Sequence, residues 1–234
     1  MSLEKRLFDT IRPFGPYLIK STISDEIHKI LLDTAYKIRK NKKLKKNNDY
    51  RKRLAGNLSE EYSYANALSE NQFNIVKEEL TWLASVFTKQ SKIVTGKKLE
   101  REPKDIIMLE PLWVNFMKQG EWNPAHAHTG EISCVMYLKV PKEIENENLK
   151  SQTSSQSNTP SAGKIEWLYG ETITYDNTGF IATPKEKDIY FFPARLKHMV
   201  YPFKSKTERI SLSVNFADKV NSLSSLNKQG EMKQ

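Results

Sequence analysis

Arg209-Ile-Ser-Leu-Ser-Val-Asn-Phe216 alternates polar and apolar residues without a break. Period-two patterning of this kind is a β-strand with one face on a core, here Ile210, Leu212, Val214 and Phe216. The other face carries Arg209, Ser211, Ser213 and Asn215. On an edge strand such a face would meet solvent, but asparagine and small hydroxyls are poor solvent-face choices beside Lys, Glu or Thr. Pointed into a barrel mouth, the same face is a carboxylate site. A guanidinium holds a carboxylate through two parallel charged hydrogen bonds, and the neighbouring Ser211 hydroxyl can add a third.

Outward from this strand, β-prone runs occupy 106–117, 132–140, 165–168, 179–183, 189–192 and 199–203. Short strands separated by turn residues predict a sandwich or barrel. The first hundred residues have a helical texture instead. Ser24 precedes Asp25 and Glu26, and Ile27, Ile30, Leu31, Thr34 and Ile38 recur at helical spacing. Ser69 can cap a second helix whose stripe is Phe73, Val76, Leu80, Leu83 and Phe87. These helices are expected to cover one side of a sheet.

The expected architecture is one mainly β domain over 1–234, a double-stranded β-helix (a jelly roll, or cupin-like barrel). Residues 1–104 give largely helical support and 105–218 form the barrel. Residues 143–163, rich in Ser, Thr, Asn and Gln, are expected to be a flexible insertion, and 219–234 a polar tail.

The formal charge of +9 resides in one place: residues 37–53 hold ten Lys or Arg against Asp49 alone. Charge blocks of this kind are usually solvated, and few aromatics interleave it, which argues against nucleic acid as partner. One cysteine, Cys134, cannot make an internal disulfide, and no run reaches the ~20 apolar residues of a membrane span. The N-terminus shows no secretory pattern, so a cytoplasmic protein is expected. His28 falls on the first helix and is expected to be structural or exposed. Trp113 and Trp122 read as core or rim packing, and strand parity sets a buried Cys134 opposite Tyr137.

Three of the four histidines lie in the β-rich half: His126, His128 and His198. Residues two apart on a strand project to one side, so His126 and His128 can converge. Imidazole suits iron, zinc, copper or nickel, and His-x-His with a distant His is a common metal arrangement.

Asn123-Pro-Ala-His-Ala-His128, Ser133-Cys-Val-Met-Tyr-Leu138, Asp188-Ile-Tyr-Phe-Phe-Pro193, His198-Met-Val-Tyr-Pro202 and Glu208-Arg-Ile-Ser-Leu-Ser-Val-Asn215 together resemble the 2-oxoglutarate- and iron(II)-dependent oxygenase superfamily. The resemblance is closest to a bacterial and phage branch related to prolyl hydroxylases. It implies Fe(II) and 2-oxoglutarate as cofactors, O2 as cosubstrate, and hydroxylation of a peptide or small molecule with release of succinate and CO2. By the same resemblance His126 and His198 are metal ligands, and Arg209 with Ser211 and Tyr137 holds the far carboxylate of 2-oxoglutarate. Asn215 faces the same way and touches substrate or cosubstrate.

The superfamily usually has His-x-Asp or His-x-Glu, whereas position 128 is histidine. The third ligand is therefore His128, whose spacing needs no turn, or Glu131, which a turn could bring round. The rival reading is a cupin: Gly120, five residues and His-Ala-His fit its first motif, and Pro193 to His198 the spacing of its second. Cupins share the barrel, but give no reason for Arg209-Ile-Ser211. A metal-binding interaction module without catalysis is the third class.

Overall fold

The computed structural model describes residues 8–11, 15–95, 101–109, 111–153, 158–170 and 178–219. The expected tail beyond Lys219 lies outside them, as does 154–157 of the expected insertion. Two antiparallel sheets make the barrel. The larger contains β1 (Asp9–Ile11), β2 (Leu18–Thr22), β3 (Glu61–Ser63), β4 (Ile106–Met108), β5 (Trp113–Lys118), β7 (Ile132–Lys139), β10 (Asp188–Pro193) and β12 (Glu208–Asp218). Its order is β1-β2-β10-β7-β12-β5-β3, with β4 also on β12. The smaller runs β6-β11-β8-β9, from β6 (Asn123–His126), β8 (Ile165–Leu168), β9 (Gly179–Ala182) and β11 (Lys197–Val200). This is the double-stranded β-helix.

The alternation of β12 sorts its side chains between two cores. Ile210, Leu212, Val214 and Phe216 join a cluster with the helices, together with Cys134, Met136 and Leu138 of β7. Tyr137, Val135, Trp167 and Phe192 pack in a second cluster inside the barrel. Cys134 and Tyr137 thus lie on opposite faces.

The helices covering the outer face are α1 (Asp25–Lys40) and α3 (Glu70–Thr95), with α2 (Lys42–Asn47) extending α1. The Ser24 side chain caps α1 by accepting from the Ile27 N–H. Ser69 and Gln72 cap α3 reciprocally: the Gln72 N–H donates to Ser69 Oγ and the Ser69 N–H to Gln72 Oε1. Ile27, Leu31, Thr34, Ala35 and Ile38 of α1 and Val76, Leu80, Leu83 and Phe87 of α3 are buried. Phe73 departs from its stripe and is 38% exposed. His28 bonds the Leu138 carbonyl oxygen at 2.8 Å, so its role is structural. The basic run is partly neutralised: Arg39, Lys45 and Lys118 converge on Glu60, and Arg39 also reaches Glu208. No described helix is long and apolar enough to cross a membrane.

Three expectations need correction. The first 104 residues contribute β1, β2 and β3 to the larger sheet besides their helices; runs of three to five residues carry too little alternation to declare themselves. The last strand before β12 covers 197–200, not 199–203. The polar stretch from 143 onward is not all loop, because Lys142–Thr153 forms α4. Its anchor is a single apolar residue, Ile144, 4% exposed within the barrel cluster. The Asn148 amide donates to the Ala162 carbonyl, and the Glu147 carboxylate accepts from the Lys204 and Ser205 N–H groups. One buried side chain and two polar ties are invisible to a compositional reading. Truncating a buried Ile typically costs ~2–5 kcal/mol. Ile144→Ala is therefore expected to lower the urea unfolding free energy by about 2–4 kcal/mol; an unchanged value would mean that α4 does not dock.

Candidate functional site

β6 and β11 pair with His126 directly opposite His198. Cross-strand partners have their Cβ atoms ~5 Å apart, so the register alone brings two imidazoles together. The strand ends at His126, and His128 arrives from the loop beyond, where its N–H donates to the Ala194 carbonyl at 2.8 Å. The convergence expected from strand parity is thus produced by a loop anchored on the turn between β10 and β11. One ligand-capable atom from each of the three lies within 4.8 Å of the others.

The hydrogen bonds set the tautomers. His126 Nδ1 donates to the Pro124 carbonyl at 2.7 Å and His198 Nδ1 to the Leu196 carbonyl at 3.0 Å. Each leaves its Nε2 lone pair free. His128 Nε2 and His198 Nε2 stand 3.1 Å apart. Two lone pairs so placed repel unless a proton or cation lies between them. Nitrogens bound ~2.1 Å from one ion at right angles lie about 3 Å apart, so the spacing fits a shared metal. Burial lowers all three imidazole pKa values, His128 to about 4 and His198 to about 3, with mutual repulsion adding to it for those two. Neutral imidazole is the ligating form. Glu131, the alternative ligand, points elsewhere: its carboxylate accepts from the Asp218 N–H at 3.1 Å.

The same pocket is lined by Arg209, Ser211, Ser213, Tyr137, Trp113 and Asn115. Arg209 is 2% exposed. Nη1 donates to the Gly163 carbonyl at 2.7 Å, Cζ stands 5.5 Å over the Tyr137 ring, and Nε has no partner. No acid among the described residues forms an ion pair with it, and burial pulls its pKa down. The Tyr137 hydroxyl, also without a partner, is pushed up to about 12 by burial, so it remains a donor. A buried cation lacking a counter-ion is costly, and an entering carboxylate would relieve it. The donor set therefore fits 2-oxoglutarate. Register supports the grouping, since Ser211 pairs with Tyr137 on one side and Asn115 on the other. Asn215 is buried on the same strand but is not among the lining residues. Trp113 packs as expected, yet also faces the site, 5.6 Å from the His128 ring. Trp122 is a partly exposed rim residue.

Sequence reasoning missed Glu61, Asn115 and Asn123, which complete the wall. Burial raises the Glu61 carboxyl to about 7, helped by the nearby Glu121 charge. Glu61 Oε2, Asn115 Oδ1 and Asn123 Oδ1 are buried without partners. Asn123 opens the quoted Asn-Pro-Ala-His-Ala-His stretch but carries no role in that reading, and no motif marks Glu61 of β3 or Asn115 of β5.

Residues 111–215 match a family described as "Putative 2OG-Fe(II) oxygenase". Among solved structures, AviO1 from Streptomyces viridochromogenes Tue57 is 10% identical, with 86% of this chain and 89% of that chain covered at a TM-score of 0.52. The non-heme alpha ketoglutarate dependent epimerase SnoN from nogalamycin biosynthesis is 9% identical, with coverages of 86% and 76% and a TM-score of 0.51. EvdMO1 is 12% identical, with coverages of 85% and 47% and a TM-score of 0.52. At these identities the likeness is one of fold. No curated protein matches the sequence.

The shifted pKa values give the metal-free protein a defined pH response. An unfolded histidine titrates near ~6.5, above the folded values of His128 and His198. As pH falls below that, the unfolded chain binds protons that the native site refuses, so stability declines. Glu61 acts oppositely: its raised pKa makes the native state bind a proton first, which adds stability as pH falls from about 7. The imidazoles outnumber the carboxyl, and the expected net loss between pH ~6.5 and ~5 is about 1–2 kcal/mol by urea unfolding. Glu61→Gln should make the loss steeper. Stability that is flat in the parent, or a slope unaltered by Glu61→Gln, would contradict these assignments.

Proposed function

We propose that this chain, whose residues 111–215 match a 2OG-Fe(II) oxygenase family, is a 2-oxoglutarate- and Fe(II)-dependent dioxygenase whose metal is held by His126, His128 and His198. It hydroxylates a C–H bond of a peptide or small molecule, and 2-oxoglutarate leaves as succinate and CO2. The observation that carries the reading is one pocket containing both three convergent neutral imidazoles and a buried guanidinium without a counter-ion.

Iron with 2-oxoglutarate and dioxygen supplies the oxidising chemistry when bound. The chain's part is positioning. Nε2 of His126 and of His198 faces the metal because each Nδ1–H is committed to a backbone carbonyl two residues earlier. Arg209 holds the far carboxylate of 2-oxoglutarate through Nε and the Nη groups, with the Tyr137 and Ser211 hydroxyls as further donors. The Gly163 carbonyl fixes one edge of the guanidinium, so little side-chain freedom is lost when the anion binds. Val135, Ile165, Phe192 and Val200 form the apolar part of the wall and exclude water. Three neutral ligands leave the centre one positive charge richer than two histidines and a carboxylate would.

His198→Ala is expected to abolish stoichiometric iron binding with the fold retained, and Glu131→Gln to leave iron content unchanged. Iron analysis after anaerobic loading and desalting distinguishes these outcomes; equal iron in His198→Ala and parent would remove the metal site. Arg209→Ala should keep its iron but bind 2-oxoglutarate at least tenfold more weakly by calorimetry, since losing one side of a buried charged contact costs ~2–5 kcal/mol at ~1.4 kcal/mol per decade. Equal affinity would show that the anchor lies elsewhere.

A further inference from the structure

The wall beside the cosubstrate anchor has a chemistry that neither metal nor 2-oxoglutarate uses. Glu61, Asn115, Ser211 and Tyr137 lie in one row across the larger sheet, because Glu61 pairs with Asn115, Asn115 with Ser211, and Ser211 with Tyr137. At ~4.8 Å per strand, Glu61 stands about 10 Å from Ser211, outside the reach of the carboxylate held there. The row changes character along its length. The Tyr137 end offers donors, while the Glu61 end offers acceptors.

Those acceptors line one pocket. Glu61 is 1% exposed and its Oε2 has no partner; Asn115 Oδ1 and Asn123 Oδ1 are likewise buried and unpaired. Glu61 and Asn123 meet against the backbone of Gly56, where a Cβ would lie 2.6 Å from Glu61 Oε1, 2.6 Å from Leu58 Cδ1 and 2.7 Å from Asn123 Oδ1. Neighbouring charges do not satisfy Glu61. Glu121 is occupied by the Lys118 and Ser59 N–H groups. Arg53 is exposed on the rim with its guanidinium over the Tyr50 ring, and Arg51 is paired with Asp49. Glu61 Oε2, buried beside two amide oxygens in the wall of a metal pocket, therefore has room for a hydrogen-bond donor that no neighbouring side chain supplies.

We infer that Glu61, Asn115 and Asn123 form the substrate subsite, and that it takes a protonated nitrogen: an ammonium or guanidinium group carried by the molecule to be oxidised. The assignment rests on the oxygenase reading of the pocket and adds the class of substrate to it. The cation binds Glu61 through charge-assisted hydrogen bonds, and the two asparagine oxygens take its remaining protons. Substrate and cosubstrate are then sorted by charge along one row, anion at Arg209 and cation at Glu61.

The test uses the full chain with butylammonium, butylguanidinium and neutral butan-1-ol as probes. Each is titrated by ligand-detected NMR, once into metal-free protein and once into zinc-loaded protein saturated with 2-oxoglutarate. At least one cation is expected to bind the parent more tightly than butan-1-ol does. Glu61→Gln should weaken that binding about tenfold or more, the loss of a charged hydrogen-bond acceptor. Gly56→Ala, whose Cβ would push the Glu61 and Asn123 oxygens from their places, should weaken it too, while both variants keep the parent's affinity for 2-oxoglutarate. Equal cation binding by parent and Glu61→Gln, binding of butan-1-ol as tight as that of the cations, or no cation binding to the parent would each overturn the subsite. Failure of the parent to bind 2-oxoglutarate would instead remove the oxygenase reading, and the metal-free titration would still decide the subsite.

Discussion

A guanidinium buried in the middle of a sheet is the constraint on which this structure depends. β12 lies between β7 and β5, so Arg209 cannot retreat to solvent without breaking a ladder on both sides. Its stem is fixed, Nη1 is tied to Gly163, and its charge meets no acid. Such a residue costs stability in the empty protein, since a buried charge without a partner loses several kcal/mol of solvation. The polar row around it follows from the same constraint, because a barrel that must receive an anion cannot be filled with Leu and Val. The two cores divide the work. An apolar cluster fills the helix side of the larger sheet, and polar residues gather in the pocket on the barrel side.

The histidine triad has a related logic. Burial that would penalise a charged imidazole favours the neutral ligating form, and backbone carbonyls choose the tautomers of His126 and His198. With His128 in place of an acid, the only carboxyl in the pocket lining among the described residues is Glu61. Charge in the cavity is therefore distributed differently from a site in which a carboxylate binds the metal. On the proposed reading, a carboxyl at the edge of the pocket, and not one bound to the metal, reads what enters.

Much of this was legible in the sequence, and the exceptions have physical reasons. The alternation in β12 declares both of its faces, and the interior placement of Arg209 and Ser211 follows from it. His126 and His198 are recognisable because metal-binding residue types are few. His128 was identified by a strand argument that the fold does not use; the loop held at Ala194 delivers the same outcome. Asn215 obeys the alternation but lies beyond the pocket lining, since parity fixes a face and says nothing of depth. Glu61 and Asn115 could not be read, because their meaning comes from pairing strands fifty residues apart in sequence. α4 escaped notice because one isoleucine anchors a helix that is otherwise polar.

The central claim is that imidazole triad and guanidinium serve a single reaction. It is tested most directly by loading the protein with Fe(II) anaerobically, adding 2-oxoglutarate, admitting dioxygen and measuring succinate. The account predicts succinate that requires both the metal and the cosubstrate, at a rate that rises when a substrate bearing a protonated nitrogen is supplied. A protein that holds iron stoichiometrically through the triad and binds 2-oxoglutarate, yet forms no succinate under any of these conditions, would contradict it.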